Sequence, residues 1–309
     1  MRIVITEFMD APAVAALAGA HDTRYLPDLV DRPEALAIES ADADALVVRN
    51  RTQVRGALLA GARRLRVVGR LGVGLDNIDV AACEARGIAV IPASGANAQA
   101  VAEYVIGTAL VLLRGAYGSS ADVAAGRWPR AALSSGREIA GKTLGVVGFG
   151  DIGRRVARLG RALGMRAIAH DVAVSAHSPL WRDEAVEPRD LDALLAAADV
   201  VTLHVPLVDA TRRLIDARAL ASMRRGAILV NTARGGVVDE AALAAALASG
   251  QLGGAALDVF EQEPLPAGSA LAEAPNLLLT PHVAGLTQEA NQRVSTMIAE
   301  RVLAALAGR

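Results

Sequence analysis

Short runs of apolar residues alternate along most of the chain with longer, alanine-rich segments of helical periodicity. This alternation is typical of βαβ units, in which buried parallel strands are joined by crossover helices. It predicts four strands in the first part of the chain, at Arg2–Ile5, Ala45–Val48, Leu65–Val68 and Ile88–Ile91. Six more are predicted after residue 142, at Thr143–Gly148, Ala167–Asp171, Val200–Val205, Ala227–Asn231, Gly254–Val259 and Leu277–Leu279. The pattern therefore indicates an α/β protein with parallel sheets.

The helical segments suggest how the chain is divided. One long segment from Ala98 to about Gly115 is apolar on most faces, which is typical of a helix buried between domains or subunits. We interpret it as the crossover into a second domain and as a dimer surface. The stretch Gly115–Ile139 is polar and is predicted to be irregular. Further helices are predicted at Arg154–Leu163, after the N-caps Asp216 and Asp239, and from Thr287 to Leu306.

Composition narrows the class of protein. A length of 309 residues predicts two domains, and 53% hydrophobic against 21% charged residues allows a large core. The net charge of −1 gives no electrostatic reason to expect nucleic acid or an anionic membrane as partner. A single cysteine, Cys83, excludes an intrachain disulfide and a cysteine-based zinc site, and we expect no metal. The N-terminus has no basic region before a long apolar run, so we expect a cytoplasmic protein.

A glycine-rich turn indicates a dinucleotide site. Gly148, Gly150 and Gly153 follow the strand at Thr143 and open a helix, the arrangement in which a pyrophosphate sits on the helix N-terminus. The next strand ends at Asp171, where a carboxylate accepts hydrogen bonds from ribose hydroxyls and repels a 2′-phosphate. The whole βαβ context predicts a bound dinucleotide and favours NAD over NADP. The alternative is that Asp171 is only a solvated residue at a strand end.

Three charged residues follow later predicted strands. Arg234, Glu263 and His282 come just after the apolar runs AILV, GAALDV and NLLL. The carboxyl ends of parallel strands line the ligand crevice of such sheets, so these side chains can face the cofactor. Hydride transfer at an alcohol carbon needs a proton acceptor such as histidine, a carboxylate that holds its tautomer, and an arginine for a substrate carboxylate.

Each of the three also has an ordinary structural interpretation, as a surface arginine, a solvated glutamate and a loop histidine. Among the other histidines, His21 and His177 lie in polar loops, His170 adjoins the ribose position, and His204 borders the cofactor at another strand end. Elimination favours His282 as the proton acceptor, although its spacing alone does not establish it.

At this point the motifs identify a family. The chain resembles the D-isomer-specific 2-hydroxyacid dehydrogenases, including phosphoglycerate, glycerate and D-lactate dehydrogenases, over almost its whole length. The matching segments are VVRNRTQV (47–54), GRLGVGLDNID (69–79), NAQAVAEYVIG (97–107), GKTLGVVGFGDIGRRVA (141–157), LHVPL (203–207), ILVNTARGGVVDEAAL (228–243), ALDVFEQEP (256–264) and TPHVAG (280–285).

The resemblance implies two Rossmann-like doubly wound domains with a cleft between them. Residues 1–97 and 284–309 would bind substrate, and residues 98–283 would bind NAD. It implies a dimer joined through the helix after residue 97. It also implies that Arg234 binds the substrate carboxylate, that His282 is the acid/base, and that Glu263, next to Pro264, is its partner.

Further roles are implied in the same way. The backbone N–H groups of Val73 and Gly74 would hold the substrate carboxylate, and Asp258 would orient the nicotinamide carboxamide. The other implied cofactor contacts, besides Arg234, His282 and the residues of the glycine turn, are Asp151, Ile152, Asp171, His204, Pro206, Thr211, Thr232 and Ala233.

Basic residues raise the question of the substrate. Arg49, Asn50 and Arg51 form a basic loop, and Arg127 and Arg130 flank Trp128. Such groups suit a second anion on the substrate, a phosphate, sulfonate or carboxylate, or are solvated surface charges. The opening ITEFMD with VVRNRTQV resembles the sulfolactate dehydrogenases of the family. Phosphoglycerate, glycerate or hydroxypyruvate, and malate-like acids stay open.

Two other functions stay open beside the dehydrogenase. A non-catalytic, NAD-sensing interaction protein of the same fold could keep all these motifs. A Rossmann methyltransferase would use the glycine turn for a methyl donor, but the arginine, glutamate and histidine together disfavour it.

Overall fold

The computed structural model describes residues 1–308, and the chain divides into two units. The first unit consists of Met1–Asn97 together with the chain from Leu286 onward, and the second is Ala98–Gly285. Each unit has its own parallel sheet with helices packed against it. The α/β, doubly wound architecture predicted from the alternating apolar runs is therefore confirmed.

The first unit contains a five-stranded sheet in the order β2-β1-β3-β4-β5. Its strands are β1 (Arg2–Ile5), β2 (Asp22–Tyr25), β3 (Ala45–Val48), β4 (Val67–Arg70) and β5 (Ala89–Pro92). The helices between them are α1 (Ala11–Ala20), α2 (Pro33–Ala41), α3 (Gly56–Gly61) and α4 (Val80–Ala85). The central strand β3 is completely buried, as expected for a strand covered on both faces.

Three strands of this sheet differ from the prediction. The prediction missed β2, because its residues DTRY are polar and mostly exposed, and it pairs only with β1 at the sheet edge. Strand β4 begins two residues later than predicted, because Leu65 is a buried residue of the preceding turn. Strand β5 begins one residue later, for a similar reason at Ile88.

The second unit contains a seven-stranded sheet in the order β12-β11-β10-β9-β6-β7-β8, with every pair parallel. Its strands are β6 (Thr143–Val147), β7 (Arg166–His170), β8 (Glu187–Pro188), β9 (Val200–Leu203), β10 (Ala227–Asn231), β11 (Leu252–Leu257) and β12 (Leu277–Leu279). Its helices are α5 (Ala98–Arg114), α6 (Ser120–Ala124), α7 (Asp151–Ala162), α8 (Pro179–Asp183), α9 (Leu191–Ala197), α10 (Ala217–Ser222) and α11 (Glu240–Ala248).

Strand β10 shows why both faces of this sheet are covered. Its side chains alternate between two apolar clusters, with Leu229 in one and Ile228 and Val230 in the other. All five residues of the strand are buried, and its carboxyl end leads directly into a polar turn. Functional side chains can therefore be placed at that end, while the strand itself supplies the core.

The structure corrects several expectations in this unit. Strands β6 and β9 end one and two residues earlier than predicted, and β7 and β11 lie one and two residues earlier. The segment 115–139 contains α6 and two short 3-10 turns, at Tyr117–Ser119 and Ala132–Ser135, and is not wholly irregular. Helix α7 begins at Asp151, three residues before the predicted start, since Gly153 lies inside its first turn. The two-residue strand β8 was not predicted.

The last helix, α12 (Gln288–Ala307), returns the chain to the first unit. Thr287 caps it by accepting a hydrogen bond from the Ala290 N–H. Ile298 and Val302 are fully buried in one cluster with Ile3 and Val47 of the sheet. Within residues 1–308, no single helix is long and apolar enough to cross a membrane. The pair Ala98–Arg114 and Tyr117–Ala124, bent by 72°, meets the length and composition requirement only together.

Candidate functional site

The glycine turn after β6 has the geometry that a dinucleotide requires. Gly148 has a φ of +92°, and a Cβ atom there would lie 2.4 Å from the His204 carbonyl oxygen. At Gly153 a Cβ atom would lie 2.2 Å from the Gly148 carbonyl oxygen, so only glycine lets α7 approach the turn. By contrast, nothing lies within 4 Å of the Cβ position of Gly150, which leaves open space in front of the turn.

The first turn of α7 faces that open space. Helix N-termini leave backbone N–H groups without intrahelical acceptors, which favours a bound anion. Asp151 and Ile152 are the first two residues of the helix, and Gly150 is its N-cap without a side chain to block approach. The exposed Asp151 carboxylate pairs with Arg154 of the same helix, at 2.5 Å.

Asp171 lies beside the glycine turn, directly after β7. Its Oδ2 accepts a hydrogen bond of 2.6 Å from the Phe149 N–H, and its Oδ1 accepts one of 2.8 Å from the Ala173 N–H. Both carboxylate oxygens are thereby fixed in direction by backbone donors. An acidic group held next to the pyrophosphate turn is the arrangement that binds the ribose hydroxyls of NAD.

Two polar atoms near strand ends are buried without a hydrogen-bond partner among the described residues: the Nδ1 atom of His204 and the Oγ1 atom of Thr232. His204 is otherwise held by a contact of 2.9 Å between its Nε2 and the Thr202 hydroxyl. Burial lowers the pKa of His204 to about 3, so the ring is neutral at physiological pH. Buried polar atoms normally have partners, so these two fit a site that a polar ligand completes.

Pro206 and Thr211 lie in the exposed turn after β9. The Thr211 hydroxyl donates to the Pro206 carbonyl oxygen at 2.6 Å and accepts from the Val208 N–H at 2.9 Å. In this structure the hydroxyl therefore closes the turn.

Arg234 is presented by a turn that Asn231 organises. The Asn231 side chain accepts from the Ala233 N–H and donates to the Arg234 carbonyl oxygen, both at 3.0 Å. Asn231 is 1% exposed and ends β10, so this clamp is anchored in the sheet. The Arg234 guanidinium also donates to the Ala233 carbonyl oxygen at 2.6 Å.

Glu263 and His282 are in direct contact. The Nδ1–H of His282 donates to Oε2 of Glu263 at 2.8 Å, and Oε1 of Glu263 accepts from the Phe260 N–H at 3.1 Å. About 40% of the His282 side chain is exposed. The carboxylate fixes the Nδ1–H tautomer, so that Nε2 is the nitrogen left to exchange a proton with a ligand.

The Arg234 turn lies against the same loop. A Cβ atom at Gly235 would be only 1.8 Å from the Phe260 carbonyl oxygen. Phe260 is the residue whose N–H is bound by Glu263. The structure therefore brings the turn that carries Arg234 next to the loop that carries Glu263.

Asp258, at the end of β11, holds the segment that carries His282. Its carboxylate is 1% exposed and accepts from the backbone N–H groups of Val283 and Ala284, each at 2.8 Å, and from the Thr280 hydroxyl at 2.6 Å. Sequence reasoning assigned Asp258 to the nicotinamide carboxamide and did not foresee this structural role. The only signal available for it was an acidic residue directly after a buried strand.

In the first unit, a buried glutamate that sequence reasoning missed organises the basic loop after β3. Glu7 is 5% exposed. One of its oxygens accepts from the N–H groups of Arg49 and Thr52, at 2.8 and 3.0 Å, and the other accepts from that of Arg51, at 3.2 Å. Its place in ITEFMD, directly after a buried strand, was the available signal. Three of the loop's N–H groups therefore have acceptors.

The two arginines of this loop differ in their surroundings. The Arg49 guanidinium donates to the Asn291 side chain and lies 5.6 Å from the centre of the Phe8 ring, with no carboxylate contact among the described residues. Burial lowers the pKa of Arg49, against a smaller opposing effect of the Glu7 charge. Arg51 forms an exposed ion pair with Asp31, which raises the pKa of Arg51.

The remaining predicted substrate residues lie on the surface of the first unit or of α6 and its flanks. Asn50 is exposed, and Val73 is 40% exposed in the turn after β4 with Gly74 beside it. In the second unit, Arg127 forms an exposed ion pair with Asp122, at 2.5 Å. Trp128 is 76% exposed. No group of three or more histidine, cysteine or acidic side chains in residues 1–308 is arranged to hold a metal ion.

Comparison with known proteins identifies the family. Residues 106–284 match the model of the D-isomer specific 2-hydroxyacid dehydrogenase, NAD binding domain. The chain is 52% identical over 307 residues to a (S)-sulfolactate dehydrogenase of Chromohalobacter salexigens, covering 99% of both chains.

Solved structures agree with this match. The TT0316 protein of Thermus thermophilus superposes with a TM-score of 0.90 at 34% identity, over 100% of this chain and 98% of that one. A D-lactate dehydrogenase of Aquifex aeolicus, complexed with NAD and lactic acid, superposes with a TM-score of 0.85 at 30% identity, over 99% and 96%. The family, the NAD cofactor and the enzyme class expected from the motifs are confirmed. The chain belongs to the D-isomer-specific 2-hydroxyacid dehydrogenases, NAD-dependent enzymes that act on a CH–OH group.

Proposed function

We propose that this protein interconverts a 2-hydroxy acid and its 2-oxo acid with NAD, and that its substrate carries a second anionic group, as sulfolactate does. The observation that carries the proposal is the 2.8 Å contact between His282 and Glu263. A histidine that donates its Nδ1–H to a carboxylate keeps Nε2 for proton exchange with a hydroxyl or carbonyl oxygen.

The proton chemistry follows from this contact. During reduction, the Nε2–H of His282 donates to the substrate carbonyl oxygen as it becomes a hydroxyl. During oxidation, Nε2 accepts the hydroxyl proton. Glu263 stabilises the charged ring through the Nδ1 hydrogen bond. When bound, the nicotinamide accepts or supplies the hydride at the substrate's second carbon.

The substrate carboxylate is assigned to Arg234 and to the backbone N–H groups of Val73 and Gly74. The planar guanidinium of Arg234 matches a carboxylate with two parallel hydrogen bonds. The clamp by Asn231 supports this role, because it fixes the backbone from which Arg234 projects.

The cofactor is assigned to the glycine turn and to the strand ends around it. Gly148, Gly150 and Gly153 with the start of α7 would hold the pyrophosphate, and Asp171 the adenosine ribose. The His204 Nδ1 and Thr232 Oγ1 atoms, which are buried without a hydrogen-bond partner among the described residues, would form hydrogen bonds with polar groups of the cofactor. The other residues proposed to line it are Asp151, Ile152, Pro206, Thr211, Ala233 and Asp258.

The second anion of the substrate is assigned to Arg49. Its guanidinium is half-buried, and its contacts in the structure are a neutral amide and a ring face. Arg51 and Arg127 are weaker candidates, because each already pairs with a carboxylate at the surface. The 52% identity to a protein described as a sulfolactate dehydrogenase supports a sulfonate as this anion.

We also propose a cytoplasmic homodimer joined through α5 and the segment after it. Exposed apolar side chains in this region, at Leu110, Tyr117, Val123 and Trp128, support a covered surface. Light scattering after size-exclusion chromatography tests this: a monomer at micromolar concentration would contradict it.

The test of function is NADH oxidation, followed by absorbance, with sulfopyruvate, phosphohydroxypyruvate, hydroxypyruvate, oxaloacetate, pyruvate and glyoxylate. We expect a preference for a doubly anionic acid and loss of turnover in His282→Asn. His177→Asn is the matched control, because His177 is exposed in a loop of the same unit.

Arg49→Ala and Arg51→Ala test the second anion as a matched pair. We expect Arg49→Ala to raise KM for the doubly anionic acids and to leave pyruvate nearly unchanged, while Arg51→Ala has little effect. Preference for a monoanion would contradict the assigned substrate class. Absence of turnover with NADH bound would contradict enzyme activity and favour an NAD-sensing interaction protein.

A further inference from the structure

A chain of hydrogen bonds leads from α5 to the segment that carries His282. The Oη of Tyr104, on α5, lies 2.6 Å from the Oγ1 of Thr280, and the Thr280 hydroxyl donates to Asp258 at 2.6 Å. A threonine hydroxyl has one hydrogen, and here it points to the carboxylate. Tyr104 is therefore the donor in the first hydrogen bond, and the chain runs in one direction, from Tyr104 to Asp258.

The chain ends on the backbone around His282. The same Asp258 carboxylate accepts from the N–H groups of Val283 and Ala284, which directly follow His282. His282 itself has a φ of +56°, in the left-handed region that residues other than glycine rarely adopt. Such a conformation persists where surrounding contacts determine it.

We propose that Tyr104 is a positioning residue for His282, acting through Thr280 and Asp258. This inference rests on the proposed role of His282 as acid/base. By donating to Thr280, Tyr104 fixes the rotation of the Thr280 hydroxyl toward Asp258. Asp258 in turn fixes the peptide groups that orient the imidazole toward Glu263.

The surroundings of Tyr104 suit a permanent donor. Its side chain is half-buried on α5, and burial, with a smaller contribution from the nearby Asp258 charge, raises the pKa of Tyr104. The phenol thus keeps its proton over the range in which such an enzyme works. The glycine turn proposed to hold the pyrophosphate is not part of this chain, and loss of the Tyr104 hydroxyl leaves the Asp258 carboxylate in place, so NADH affinity is expected to change little in Tyr104→Phe.

The first experiment removes only the hydroxyl. In Tyr104→Phe we expect kcat for the preferred 2-oxo acid to fall about three- to tenfold, the effect of one lost hydrogen bond, with KM and NADH affinity nearly unchanged. Thr108→Ala is the matched control, because the Thr108 hydroxyl on the same helix bonds, among the described residues, only to the carbonyl oxygens of Tyr104 and Val105 on that helix. An unchanged kcat in Tyr104→Phe would overturn the proposal.

A double-mutant cycle tests the route. If Tyr104 acts through Thr280, Tyr104→Phe has no further effect on kcat in a Thr280→Val background, and Thr280→Ser keeps most of the wild-type rate. Additive losses would overturn the proposal, since they would mean that Tyr104 acts by another path. Thermal unfolding of each variant separates these effects from loss of folded protein.

A readout without turnover separates this inference from the proposed function. In protein labelled with ¹⁵N histidine, the His282 signals, assigned with His282→Gln, should report the Nδ1–H tautomer in the wild type and a mixture in Tyr104→Phe. Identical His282 signals in both proteins would overturn the positioning role. If the wild type reduces none of the 2-oxo acids, the proposed function fails, while the histidine signals still decide the positioning role.

Discussion

Replacing Asp258 with asparagine separates holding the His282 segment from binding the cofactor. The buried carboxylate accepts three hydrogen bonds, with the Thr280 hydroxyl and the Val283 N–H on Oδ1 and the Ala284 N–H on Oδ2. An amide has one oxygen. If that oxygen takes the Oδ1 position, the new NH₂ group faces the Ala284 N–H, and two donors oppose each other. In the flipped orientation two hydrogen bonds are lost.

The lower-energy orientation leaves one buried N–H group without an acceptor. Such a group costs about 1–3 kcal/mol, and this is the expected decrease in the free energy of unfolding of Asp258→Asn. The same distortion moves the backbone next to His282. We therefore expect kcat to fall about tenfold or more, which corresponds to about 1.4 kcal/mol or more in the activation free energy.

The assay combines urea unfolding, NADH titration by fluorescence, and kcat with the preferred 2-oxo acid. Asp199→Asn is the matched control. Asp199 accepts from the Thr143 N–H at 2.8 Å and contacts Arg224 at 3.2 Å, at the opposite ends of the strands from the proposed site. It should lose stability without losing kcat. If Asp258→Asn weakens NADH binding as much as it lowers kcat, Asp258 acts mainly on the cofactor and the assigned holding role is wrong.

Three further changes test other parts of the site. Glu263→Gln removes the charge-assisted hydrogen bond to His282. Such a bond is worth about 1.5–3 kcal/mol, and less at a partly exposed pair, so kcat should fall about 10- to 100-fold. An unchanged pH–rate profile together with an unchanged kcat would contradict the assigned pairing. Glu7→Gln forces an NH₂ group against a backbone N–H of the basic loop, so KM should rise more for sulfopyruvate than for pyruvate; an equal rise would contradict the link between Glu7 and Arg49. The pKa of His204 is about 3 in the folded protein and 6.5 in the unfolded chain. As the pH decreases below 6.5, the unfolded state therefore binds a proton that the folded state does not, and the free energy of unfolding falls. Between pH 7 and pH 5 this loss is at most about 2 kcal/mol, and it should be absent in urea unfolding of His204→Asn; equal losses in both proteins would contradict it.

The strands that could be predicted are those whose own sequence is apolar enough to indicate that they are buried. The runs Ala45–Val48 and Ala227–Asn231 are apolar, apart from Asn231 at the carboxyl end of the second, because both faces of each strand are covered. Their predicted bounds match the structure. Strand β2 could not be found this way, because DTRY is polar and exists as a strand only through its pairing with β1. The predicted start of α7 is too late, because the local sequence does not distinguish Gly153, in the first turn of the helix, from the glycines of the preceding turn.

The candidate site was predictable where one residue carries the chemistry, and not where the chemistry depends on a distant partner. His282 and Glu263 follow strand ends, and a proton acceptor with a carboxylate beside it could be inferred from that. The support behind them joins residues far apart in sequence: Tyr104 bonds to Thr280, 176 positions away, and Glu7 to the N–H of Arg49, 42 positions away. Neither link leaves a local pattern, since a half-buried tyrosine in a helix and an acid after a strand are common.

The supporting residues share one arrangement that bears on how the site works. Asn231 ends β10 and Asp258 follows β11, and each is 1% exposed and bonded to the backbone of the segment that carries a proposed functional side chain. Because Asn231 ends a buried strand and Asp258 follows one, these bonds tie the segments that carry Arg234 and His282 directly to the sheet. Donors and charges fixed in advance stabilise a transition state without the cost of reorganisation. The strands of this sheet thus supply the core, and their carboxyl ends supply the fixed polar groups. Weakening one buried hydrogen bond behind His282 should therefore lower kcat more than it lowers the affinity for NADH.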